Sequence, residues 1–99
     1  MIQDIKTLED VAEFMHNLVA EGVNAHPDEM FENYVSMESG EPTFTAEEAA
    51  IRNSLMEKSF IVCEREGEDI YDFMMEIFLK DTGLDKYIPL PSTGEISAL

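Results

Sequence analysis

The segment Ile70-Tyr71-Asp72-Phe73-Met74-Met75-Glu76-Ile77-Phe78-Leu79-Lys80 does most to limit what this chain can fold into. Its polar side chains, Asp72, Glu76 and Lys80, recur every four residues, so in a helix they form one narrow strip. The remaining side chains are apolar and cover most of the circumference. An arc that wide exceeds what a single neighbouring helix covers. The segment therefore belongs at the centre of a helical domain or in a contact between subunits. Its helix is expected over Glu68–Thr82, with Gly83 behind it as the stop.

Three further helices are expected upstream. The first, Thr7–Glu21, has Thr7 as N-cap and Glu9 and Asp10 in its first turn, where the helix dipole favours anions. Leu8, Val11, Ala12, Met15, Leu18 and Val19 form its apolar stripe, and Gly22 ends it. The second, Pro27–Val35, starts at a proline, whose missing N–H is not needed at the first helical position. It places Met30, Phe31, Tyr34 and Val35 on one side. Gly40 and Pro42 then mark a loop. The third, Thr45–Glu64, opens on a capping box: Thr45 accepts from the Glu48 N–H and the Glu48 side chain reaches back.

The expected fold is thus all-α, a compact bundle of about four helices with an irregular C-terminal tail. Residues 1–88 make a single helical domain and 89–99 a flexible tail. The alternative is an α+β fold with a short hairpin around residues 60–73, because Phe60-Ile61-Val62-Cys63 has β-propensity and "EREGED" reads as a turn. After Leu84 no helical period remains, and Tyr87, Ile88 and Leu90 are expected to lie across the domain. Within this tail, Leu90-Pro91-Ser92-Thr93-Gly94 resembles the sorting signal of sortase substrates. In that family an apolar segment and a basic tail follow the signal. Here Glu95-Ile96-Ser97-Ala98-Leu99 follows, so the pentapeptide reads as a chance match in a turn-rich stretch.

Cys63 is the single cysteine, so no disulfide forms within the chain. "MIQDIKTLEDVAEF" lacks the basic start and apolar run of a signal peptide, and no apolar stretch approaches the ~20 residues that span a bilayer. A cytoplasmic location is expected.

Motifs for chemistry are sparse. Glu13 and His16 share a helix face at the spacing found in di-iron bundles, but the second such motif that these sites use has no counterpart. The pair reads as an ion pair at the solvent edge. Glu13, His16, His26 and Cys63 together would be the ligands of a metal-dependent enzyme, without the short local spacing that marks zinc sites. Cys63 reads as a small buried apolar residue. The glycines are isolated, so no phosphate loop is formed, and "DEMFENYVSMESGE" lacks the alternating oxygen ligands of a calcium loop. No cofactor is implied. The methionines at positions 15, 30, 56, 74 and 75 read as core filling, with an adaptable binding surface as the alternative.

Charge is the strongest anomaly. The chain carries 22 acidic and 6 basic residues, a net charge of −16. This argues against nucleic acid and anionic membrane as direct partners, since phosphate binding needs Lys and Arg. No Lys or Arg stands between Lys6 and Arg52, so the first two helices are expected to present acids without compensating cations. The expected function is that of a non-enzymatic interaction or regulatory module. Its acidic residues Glu9, Glu13, Asp28, Glu29 and Glu32 would dock a basic partner, such as a nucleic-acid-binding protein. The alternative is a self-assembling accessory subunit. Tyr71, Met75 and Leu79, on the shoulder of the last helix, would then form the seam of a two-fold homodimer.

Overall fold

The structure, a computed structural model, describes residues 1–23, 26–36 and 38–84. The expectations for Tyr87, Ile88, Leu90 and the 89–99 tail fall outside them. Three α-helices, α1 (Leu8–Ala20), α2 (Ala46–Glu66) and α3 (Ile70–Thr82), and one 3-10 turn, η1 (Phe31–Asn33), make an all-α globule. Among the described residues there is no strand, only a single antiparallel bridge between Val35 and Pro42.

Local chemistry sets most of the boundaries. Both expected N-caps form capping boxes. Thr7 Oγ1 accepts from the Asp10 N–H at 3.2 Å while Asp10 Oδ2 accepts from the Thr7 N–H at 3.1 Å. Thr45 and Glu48 do the same at 3.1 and 2.9 Å. These bonds satisfy N–H groups that a helix start leaves without partners. Gly22 and Gly83 stop α1 and α3 with left-handed backbones, as expected.

The hairpin alternative is overturned. Phe60-Ile61-Val62-Cys63 continues α2, which runs two residues past the expected end. Gly67, at φ 73°, then closes a Schellman motif: the Glu68 N–H donates to the Cys63 carbonyl and the Gly67 N–H to that of Glu64. Asp69 caps α3 by accepting from the Tyr71 and Asp72 N–H groups, so α3 starts at Ile70 rather than Glu68. Phe60-Ile61-Val62-Cys63 is helical because Val62 and Cys63 fall on the buried face with Leu55, Met56 and Ser59. Tertiary burial outweighs β-propensity here.

The second expected helix is also corrected. Of Pro27–Val35 only η1 is helical. In a helix starting at Pro27, the Phe31 N–H would donate to the Pro27 carbonyl. It donates instead to Asn53 Oδ1 on α2, at 2.9 Å. A helix of about nine residues is marginal by itself, so one strong tertiary bond suffices to redirect it. The aromatic anchors then decide the path. Phe31 is fully buried, with ring centroids 6.4 Å from Phe14, 5.5 Å from Tyr34 and 5.7 Å from Phe44. Met30 and Val35, expected beside Phe31, stay exposed.

The core lies where α1 meets α2 and α3. Val11, Phe14, Met15 and Leu18 of α1 pack with Leu55, Met56, Val62 and Cys63 of α2 and with Ile70, Met74 and Ile77 of α3. The extended N-terminal residues join it through Ile5. They are tied down by the Asp4–Lys58 ion pair and by Arg65, which donates to the Lys6 carbonyl.

Candidate functional site

Helix α3 runs antiparallel to α1, with His16 Nδ1 beside Asp81 Oδ2 at one end and Val23 near Tyr71 at the other. The period of each helix turns three or four side chains toward the space between them. Met15, Leu18 and Val19 come from α1, at i, i+3 and i+4. Tyr71, Met74, Met75 and Phe78 come from α3, at i, i+3, i+4 and i+7. With Pro27 from the following turn they line an open apolar groove of about 290 Å³. Met15, Leu18 and Met74 are buried and form its floor, whereas Tyr71 and Met75 are about half exposed, at 47% and 53%. Among the described lining residues only His26 and Tyr71 carry a polar side chain. The groove is therefore suited to seating apolar side chains by shape and dispersion.

Carboxylates stand beside its Tyr71. Asp28 acts on the Tyr71 hydroxyl and holds its pKa above the ordinary phenol value, chiefly by accepting its hydrogen bond, with Asp69 adding to the effect. Asp28 and Glu29 also lie close to the Tyr34 hydroxyl, whose pKa is raised first by burial and then by these two charges. That hydroxyl accepts from the His26 N–H at 2.8 Å and so holds the turn in place.

The acidic residues expected to bind a partner do not form one cluster. Glu9 and Glu13 are exposed on the outer face of α1, four residues apart. Asp28 and Glu29 follow the other end of that helix, which is about 20 Å long. Glu32 accepts from Asn53 Nδ2 at 2.7 Å. Of the expected seam residues, Tyr71 and Met75 are exposed, but Leu79 is only 4% exposed and leaves that set. Asp28 and Tyr71, assigned from the sequence to different surfaces, meet at one rim.

Two other expectations concerned chemistry. His16 Nδ1 makes a hydrogen bond with Asp81 Oδ2 across α1 and α3, so its partner at the solvent edge is Asp81 and not the expected Glu13. Among the described residues no three His, Cys, Asp or Glu side chains come together in a way that could hold a metal, so Glu13, His16, His26 and Cys63 are not a ligand set. Cys63 is 1% exposed. Burial, then Glu68 and Asp69, push its thiol pKa up, the opposite of what activates a nucleophile.

One cation was underrated. Arg52, beyond the cation-free interval, turns back to Glu21 in a two-pronged ion pair and stacks 4.4 Å from the centre of the Phe44 ring. The outer end of α1 is therefore compensated at Glu21, contrary to expectation. The signal was an arginine on the apolar arc of its helix, beside Ala49 and Leu55. No helix among the described residues is long and apolar enough to cross a membrane. Comparison with protein-family models, curated proteins and solved structures finds no match.

Proposed function

We propose that this protein is a non-enzymatic acidic module that works in the cytoplasm by docking a basic protein, of the kind that itself binds nucleic acid. The observation that carries this reading is the charge: 22 acids against 6 basic residues. Arg52, Lys58, Arg65 and Lys80 are already paired with Glu21, Asp4, Glu66 and Glu76. Glu9, Glu13, Asp28 and Glu29 are left exposed to solvent. Such a surface steers a basic partner to contact and repels nucleic acid.

Affinity capture from a native lysate at low and high salt, followed by reconstitution with the purified prey, tests it. The expected prey are basic proteins that dissociate as salt rises, and whose affinity drops several-fold for a Glu9→Gln, Glu13→Gln, Asp28→Asn, Glu29→Gln variant. Recovery of nothing at low salt overturns the reading. A second reading, self-association through α3, is favoured by the exposure of Tyr71 and Met75, although burial of Leu79 narrows its seam.

A further inference from the structure

The groove between α1 and α3 joins an apolar floor to two carboxylates, Asp28 and Asp69, beside Tyr71. Its volume of about 290 Å³ lies at the lower edge of small-molecule sites, and it is open along the helices. That shape accepts a few side chains from a ridge rather than enclosing a ligand. The described residues of its walls, 15–23, 26–28 and 69–78, contain no Lys or Arg. They carry Asp28 and Asp69, both acting on Tyr71. Met15, Met74 and Met75 supply unbranched, polarizable side chains that adapt to different apolar shapes.

We propose that this groove binds the apolar face of a basic amphipathic helix, whose Lys and Arg side chains meet Asp28 and Asp69. This rests on the docking function above and gives it a site. Charge complementarity selects the occupant. A second copy of this chain would bring another −16 to an acidic rim, whereas a basic helix brings the opposite sign. The geometry fits as well: two antiparallel helices leave a furrow in which a third helix places anchors at i, i+3, i+4 and i+7.

The test uses the full chain with its methionine methyl groups labelled with ¹³C. Three synthetic peptides of equal length are titrated: Leu and Lys arranged with helical period, the same composition scrambled, and the periodic peptide with Glu for Lys. The periodic basic peptide is expected to shift or broaden the methyl signals of Met15, Met74 and Met75. Met1 and Met30, which are exposed elsewhere, should not respond. It should bind at least tenfold more tightly than the scrambled peptide, and the Glu peptide should not bind. Met75→Glu should weaken binding at least tenfold. The residue is half exposed, so the fold should tolerate the change, which circular dichroism checks. Asp28→Asn with Asp69→Asn, in which asparagine still caps α3, should weaken binding several-fold and flatten its salt dependence.

Equal, salt-sensitive binding of the periodic and scrambled peptides overturns the groove but leaves the docking function standing. Failure of both basic peptides to bind overturns the groove, and the docking function then rests on the capture experiment alone. A twofold mass in light scattering without peptide, reduced to about 11 kDa by Met75→Glu, would instead make a second copy the occupant.

Discussion

Arg52 joins three parts of the molecule: α2, which carries it, Glu21 at the end of α1, and Phe44 in the connection between them. Its side chain is 8% exposed and that of Glu21 32%. This asymmetry predicts unequal losses. Removing Glu21 strands a buried guanidinium, whereas removing Arg52 leaves a carboxylate that water can reach. Breaking a fully buried pair costs about 3–5 kcal/mol, and partial exposure lowers this. Glu21→Ala is expected to destabilise by about 2–3 kcal/mol and Arg52→Met by about 1–2 kcal/mol, since Met also retains contact with Phe44. Arg52→Lys should not restore the native value, because an ammonium cannot reproduce the two-pronged contact. Urea unfolding of the three variants checks the order.

At the scale of the element, the capping boxes predict both a magnitude and a pH dependence. Thr45→Ala removes the acceptor for the Glu48 N–H and should cost about 1 kcal/mol. Asp10 and Glu48 are held below their ordinary pKa values of 3.8 and 4.5. The main causes are the Lys6 N–H on Asp10 and the Thr45 N–H on Glu48. A lowered folded-state pKa means that the unfolded chain binds protons more readily. The stabilisation is complete above the ordinary values and is lost as the pH falls through the lower folded ones. The stability gap between the native chain and Glu48→Ala should therefore be full above about pH 5 and narrow as the pH falls below the ordinary carboxylate range. Urea titrations followed by circular dichroism across that range measure it. The connection between α1 and α2 depends on side chains rather than on helical bonds. Phe31→Ala should cost about 3–5 kcal/mol by opening a cavity among three aromatic rings. Asn53→Ala should be milder but should speed hydrogen exchange at the Phe31 amide, whose partner it removes.

For the whole molecule, self-repulsion is the dominant long-range term. A charge of −16 on 99 residues disfavours the compact state, and salt screens charges beyond about 8 Å at physiological ionic strength. Short pairs such as Arg52–Glu21 are screened much less. The melting temperature at pH 7 should therefore rise by several degrees between 10 mM and 500 mM sodium chloride. A protein held together mainly by its ion pairs would show the reverse in the same calorimetric scan.

The helical type of α1, α2 and α3, the N-caps Thr7 and Thr45, the Thr45–Glu48 capping box and the glycine stops were legible in the sequence because each rests on residues close in the chain. Thr7 with Asp10, Thr45 with Glu48, and Gly22 and Gly83 need no distant partner to act. The apolar periods of α1 and α3 were legible for the same reason. What happens between elements was not. Whether Pro27–Val35 winds into a helix depended on Asn53, twenty-two residues from Phe31. The compensation of Glu21 depended on Arg52, thirty-one residues away. Asp28 and Tyr71 share a rim only because α3 folds back along α1. Sequence settles contacts whose geometry is carried by one turn of backbone; side chains far apart along the chain meet only after the core has placed their helices.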